Sequence, residues 1–295
     1  MKIDNKNIFC SVSAGYSSVM MAVKIREWYP DHNIIFGMAN TSKEREESLE
    51  FMRKCDKYFG LNMTWIEAII NSKKGKGTDF KITDFINLKR KGEIFEDGIK
   101  VYGIPSVVNK WCNRELKLVP MTKYCDSIFG KNNYSVAVGL RSDESHRVRK
   151  DYLTNNVFYP LMDHNIDSNY RNKFWHKQPI KITIPAYKGN CDVCFEKSNR
   201  KIMTILDKEP DRGNWWQSMI DKYGTTKKEG KDSYNELMEQ NGTMTFYRKY
   251  KSINDLIEMA KKPFTKYHDE YKYTPDLFDV NLDYEEDCGS GCSVF

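Results

Sequence analysis

Asn7–Val12 reads NIFCSV, Ser13–Ser18 reads SAGYSS and Val19–Tyr29 reads VMMAVKIREWY. An apolar, β-leaning run, a turn of small residues and a helical run in that order predict a strand–turn–helix unit. A turn of this kind lets backbone N–H groups approach an anion, and the helix N-terminus adds about half a positive charge. Ser13, Gly15, Ser17 and Ser18 are the residues suited to that role, although small residues also occupy ordinary βα turns.

Working outward, NIIFGMAN (Asn33–Asn40) repeats the strand signal. TSKEREESLEFMRKCDKYFG follows as a helix, with Thr41 or Ser42 as its expected N-cap and Leu49, Met52 and Phe59 at roughly helical spacing. NMTWIEAI from Asn62 and YSVAVGL (Tyr134–Leu140) are the third and fourth strand candidates, the last apolar enough for the centre of a parallel sheet. Strands alternating with helices predict an α/β, doubly wound, Rossmann-like parallel sheet. The long insertion between the third and fourth strands holds SKKGKG (Ser72–Gly77), read as flexible, and ITDFINLKRKG (Ile82–Gly92), read as a short helix. After Arg171 the pattern is a polar helix start, an extended stretch broken by Pro179 and Pro185, and a Cys pair opening a helix. The segment beyond Gly224 is highly polar and is expected to pack loosely. Residues 1–223 are thus read as one α/β domain, and 224–295 as an extension ending in a Cys-rich tail.

Composition narrows the function classes. With 47 Lys+Arg against 41 Asp+Glu the net charge is +6, mild for 295 residues, and no concentrated basic stripe announces a nucleic-acid binder. No run approaches the roughly 18 apolar residues of a membrane span, and MKIDNKNIF lacks a secretory apolar core, so a cytoplasmic protein without a membrane partner is expected. In a reducing compartment the eight cysteines point to metal or redox chemistry rather than disulfides.

Two constellations stand out. GLRSDESHR (Gly139–Arg147) follows the fourth strand, where ligands of α/β proteins gather. Arg141 and Arg147 offer forked donors to phosphate or sulfate, and Asp143 or Glu144 suits a metal or a ribose; a solvated salt-bridge loop is the bland alternative. Cys191 and Cys194 form C-x-x-C, Cys288 and Cys292 form C-x-x-x-C, and Cys112 sits among basic neighbours in WCNRELK. Clustered thiols suit tetrahedral zinc or an iron–sulfur cluster, and spacing alone does not separate these from each other or from a redox pair. Cys10, Cys55 and Cys125 read as small buried hydrophobes, and Trp175, Trp215 and Trp216 as core-edge aromatics. The five histidines show no metal-like spacing.

These motifs, with MANTSKEREESLEF at Met38, YPLMD at Tyr159 and GNCDVCFEKSNRK at Gly189, resemble in order the phosphoadenosine phosphosulfate (PAPS) reductase-like members of the PP-loop, or adenine nucleotide alpha-hydrolase, superfamily. The likeness spans Ile8 to Trp216 and is strongest to the divergent forms carried by phages and mobile elements, which would place the protein in a host cytoplasm. It implies an adenine nucleotide, ATP or a PAPS/APS-type sulfonucleotide, held by Ser13, Gly15, Ser17, Ser18, Asn40, Thr41, Arg114, Lys117, Gly139, Arg141, Asp143 and Glu144. Against the pattern SGGxDS, Ala14 replaces the second residue and Ser17 the aspartate, which removes a metal or water partner near the phosphates. Cys112, Cys191 and Cys194 match ligands of a 4Fe–4S cluster, for which zinc is the alternative. Asn113 stands where a further cysteine is usual, leaving Cys288 or Cys292 as the implied supplier of the fourth thiolate. Cys288, in DCGSGC, also resembles the nucleophile of true reductases, with Arg141 and Arg147 beside the reacting group; a metal-bound thiolate is less free to attack.

The resemblance therefore implies a sulfonucleotide reductase-like oxidoreductase or an ATP-dependent sulfurtransferase acting on a nucleic-acid or protein sulfur acceptor. The opposing expectation is a catalytically degenerate PP-loop binding or structural protein, a phage accessory or virion-associated component. A homo-oligomer is compatible with either.

Overall fold

The computed structural model describes residues 5–73, 76–148 and 156–268. It is an α/β fold on a six-stranded mixed, mostly parallel sheet in the order β4-β3-β2-β1-β5-β6. The strands are β1 (Asn7–Ser11), β2 (Asn33–Asn40), β3 (Thr64–Ile70), β4 (Thr78–Thr83), β5 (Ser135–Val138) and β6 (Val157–Phe158). All neighbours pair parallel except β3 and β4, whose antiparallel register sets Ile66 opposite Ile82. Helices α1 (Tyr16–Trp28) and α2 (Glu46–Phe59) follow β1 and β2. The chain winds outward from β1 to β4 and returns to β5 on the other side of β1, so the topological switch lies between β1 and β5, where crevices form in such sheets.

The two-residue period of β1 decides which helices cover which face. Ile8 and Cys10 join a buried cluster with Val19 and Met20 of α1, Leu49 and Met52 of α2, and Trp175. Phe9 points into a second cluster with Met121, Tyr124 and Cys125 of α5 (Val119–Phe129) and with Val136 and Val138 of β5. This alternation is the physical content of the doubly wound arrangement.

Four local expectations are corrected. The stretch 82–92 is a strand end and a turn, not a helix: the Asp84 carboxylate accepts from the Asn87 amide, and Arg90 donates to the Phe85 and Leu88 carbonyls. The helix lies just downstream as α3 (Glu93–Tyr102). Neither Thr41 nor Ser42 caps α2, which starts after Arg45. Thr41 instead donates to Glu44, and Ser42 takes a left-handed φ of 67° with its hydroxyl accepting from Ile94. The Cys pair does not open a helix but sits in a turn ahead of α8 (Asn199–Lys208). The polar segment after Gly224 is not loosely packed. From α10 (Asp232–Asn241) to α11 (Ile253–Ala260) it buries Tyr234, Met238, Met244, Phe246, Tyr247 and Leu256 against α3, α8 and α9 (Asn214–Tyr223), in the cluster that holds Cys191, Cys194 and Trp216. Its charges alternate with these anchors, so mean polarity hides the apolar face.

Trp175 and Trp216 are buried and Trp215 partly so, as expected of core-edge aromatics. Cys10, Cys55 and Cys125 are fully buried, and desolvation pushes all three thiols up, Cys55 to about 12. They are packing residues, not reactive thiols. Among the described residues no helix is long and apolar enough to cross a membrane.

Candidate functional site

At the carboxyl ends of β1 and β5 lies a cleft of about 400 Å³. Its floor is the turn into α1. The Ser13 amide donates to the Ser18 hydroxyl at 2.9 Å, which closes the turn on itself. Helix α1 has Gly15 at its N-cap, no side-chain cap and no acidic residue in its first turn. Its N-terminal amides are therefore offered to the cleft rather than satisfied by a capping carboxylate.

Gly139 explains how closely β5 and α1 approach. A Cβ there would lie 2.8 Å from the Ser18 Cα and 3.1 Å from its N, so only glycine lets the strand end meet the helix. At Gly15 the situation is the reverse: a Cβ would meet only the Ser13 Oγ, at an ordinary 3.7 Å. The fold therefore has room for a side chain at 15. Gly15→Ala is expected to change stability by less than about 1 kcal/mol. Denaturant titration checks this, and a much larger loss would mean that the turn has no room for a side chain at 15.

The walls are cationic. Among the described residues, Arg147, Arg171, Lys197 and Lys201 line the cleft against a single carboxylate, Glu144. Lys197 and Lys201 are each 1% exposed. Lys201 also stands over the Tyr267 ring, 4.6 Å from its centroid. Arg171, Lys197 and Lys201 were not singled out in the sequence. Lys197 and Lys201 stand in FEKSNRK, Lys197 in the turn before α8 and Lys201 in its first turn, and tertiary packing buries both.

Arg141 and Asp143 do not line this cleft. The Arg141 guanidinium grips Asp143 at 2.9 and 3.2 Å, lies 3.2 Å from Glu144 and donates to the Ser17 hydroxyl at 3.0 Å. Burial alone would raise the Asp143 carboxyl, but Arg141 overrides it and holds it below its ordinary value. Glu144 accepts from both the Arg141 amide and Arg147, so Arg141 braces the loop that presents Arg147.

A second, smaller cavity of about 30 Å³ is lined by Cys112, Cys191 and Cys194 with Thr41, Lys110, Asn113 and Lys117. The tertiary fold thus gathers thiols that lie about 80 residues apart in the chain. Thr41 belongs here, its hydroxyl 3.5 Å from the Cys191 sulfur, rather than at the cleft. Asn40 is buried against Glu67 and the Lys89 carbonyl, and Arg114 is exposed beside Glu115. A π-helical turn, Arg114–Leu118, follows Cys112, a distortion frequent at functional sites. Three thiols line this cavity, yet among the described residues no group of three His, Cys, Asp or Glu is placed to hold a metal ion. Cys288 and Cys292 lie outside the described residues.

The cysteine turn is tied to α2 and α8 by ion pairs. Arg45, 1% exposed, approaches Asp192 at 3.0 Å and Glu209 at 2.9 Å, and Arg212 and Lys188 complete the network. Burial would raise the Glu209 carboxyl, yet Lys188 and Arg45 together hold it down at about 2, against an ordinary value of 4.5. A depressed folded-state value means stability that is fully present above about 4.5 and lost as pH falls toward about 2. Acid titration of stability should show this loss, and Glu209→Gln should flatten the curve over that window.

No family model matches the chain. Over 155 residues, 52% of its length, it is 23% identical to an uncharacterized protein of Methanocaldococcus jannaschii and covers 27% of it. Over 166 residues, 55% of its length, it is 30% identical to the uncharacterized nin region protein ORF290 of Escherichia phage lambda and covers 56% of that protein. The chain is therefore homologous to a phage protein, about half of whose length it spans.

Proposed function

We propose that this chain is an adenine-nucleotide-binding enzyme of the sulfonucleotide reductase-like or sulfurtransferase-like kind. One observation carries the reading: the uncapped N-terminus of α1 and four cationic side chains face one cleft at the β1/β5 switch. The α1 amides and Arg147 would take the phosphate or phosphosulfate group, with Lys197, Lys201 and Arg171 neutralising further anionic charge. Glu144 fixes Arg147, and Arg141 fixes the loop and the Ser17 hydroxyl. Cys112, Cys191 and Cys194, with Cys288 or Cys292, would hold a metal centre; a 4Fe–4S cluster would supply redox capacity and zinc a structural cross-link. The sulfur acceptor in this reading is a nucleic acid or a protein.

A second reading, a phage accessory or virion-associated protein that binds nucleotide without turnover, draws on Ser17. A hydroxyl engaged by Arg141 occupies the place of the aspartate in the family pattern, and the phage relative fits this setting. Anaerobic purification with iron, sulfide and zinc analysis, followed by binding and turnover assays with ATP and adenosine phosphosulfates, separates the two. Iron with sulfide and turnover supports the enzyme; tight binding without turnover supports the second reading; no nucleotide binding overturns both.

Cys191→Ser is expected to lose the metal and lower stability, because a structural metal site is coupled to folding. A variant with full metal content and unchanged stability would remove Cys191 from the ligand set.

A further inference from the structure

The turn Gly189–Cys194 has two sides. Gly189 and Asn190 line the cationic cleft, whereas Cys191 and Cys194 line the thiol cavity. One side chain spans the boundary. The buried Lys197 ammonium donates to the carbonyls of Gly189 at 2.7 Å, Cys191 at 2.9 Å and Asp192 at 2.7 Å, and the same residue lines the cleft. Its backbone amide donates to the Cys194 carbonyl at 3.0 Å, so it grips both ends of the C-x-x-C. An ammonium has three donors, and carbonyls engage all three. Carbonyl dipoles satisfy those donors without cancelling the charge, which is left to act on an anion in the cleft.

We propose that Lys197 couples the two cavities: an anion in the cleft draws a Lys197 donor away from the carbonyls and so loosens the Cys191–Cys194 turn. This rests on the anion-binding reading of the cleft and adds to it a positioning residue that acts through the cysteine turn. The opposite side of the turn stays anchored, by the bridge of Glu44 to Cys191 and the Asp192 amide on the Lys43 carbonyl, so release is confined to the side facing the cleft. By linkage, whatever opens the turn must in return favour the anion.

The test is the rate at which a maleimide alkylates Cys191 and Cys194 in the full-length protein, located by peptide mass spectrometry, with metal content assayed on each sample so that rates are compared at equal occupancy. It is measured without ligand, with ATP and with inorganic pyrophosphate, and calorimetry on the same samples establishes saturation. Both thiols are buried, so their alkylation reports opening of the turn. Loss of one charge-assisted hydrogen bond predicts an acceleration of about tenfold or more at saturation. Lys197→Met should alkylate quickly whether or not ATP is present. Arg147→Met, which removes a cleft cation carried by the Gly139–Arg147 loop and paired with Glu144, should bind ATP more weakly yet show the same acceleration once saturated. Saturated wild-type protein with an unchanged rate overturns the coupling and leaves the cleft reading standing. Absence of binding heat for both anions overturns the cleft reading itself. An undiminished response to ATP in Lys197→Met shows that the link is not Lys197.

Discussion

Arg45→Met is expected to destabilise the protein by about 3–5 kcal/mol, the range for breaking a buried ion pair from one side. Arg45 is enclosed between α2, the cysteine turn and the end of α8, and its removal leaves Asp192, itself 7% exposed, with the more distant Arg212 at 3.6 Å and the charge of the nearby Lys43. The cost comes from the stranded carboxylate more than from the lost attraction. Asp192→Asn in the Arg45→Met background should therefore recover part of the stability, and the two substitutions should be non-additive. Urea titration of the four proteins of this cycle measures the coupling. Additivity within about 0.5 kcal/mol would show that the pair is not a unit.

Gly139→Ala is expected to cost about 1–3 kcal/mol through overpacking and, under the proposed function, to weaken nucleotide binding sharply. The added Cβ would meet the Ser18 Cα and N and, at 3.3 Å, the Ser17 carbonyl carbon. These are backbone atoms, which cannot rotate aside as a flexible side chain would. Relief therefore requires displacing the first turn of α1, the element that offers its amides to the cleft. Comparison with Gly15→Ala separates the two glycines: the fold requires one at 139 and has room for a Cβ at 15. Equal stability of wild type and Gly139→Ala would mean that the strand end and the helix do not approach as described.

The strand–turn–helix at Asn7–Tyr29 was legible because its signals are local: an apolar run, small residues and a helical run. The parallel strands at Asn33, Thr64 and Ser135 were legible for the same reason, and their alternation with helices was enough for the fold class. The edge strand β4 was not. TDFKIT is half exposed and gains its identity only by antiparallel pairing with β3. Helix α3 was hidden behind a turn held by the Asp84 and Arg90 side chains, which compete with helical hydrogen bonds.

For the site, the division follows the range of the interactions. Motif spacing along the chain marks the turn into α1, the GLRSDESHR loop and the C-x-x-C, because each is built from neighbours. Only three-dimensional packing separates Arg141, consumed by Ser17 and Asp143, from Arg147 at the cleft, and brings Cys112 to the cavity of Cys191 and Cys194. It likewise buries Lys197 and Lys201, which in the chain are indistinguishable from solvated lysines. Whether a charge faces solvent or a ligand depends on contacts between residues far apart in sequence, and no local pattern encodes those.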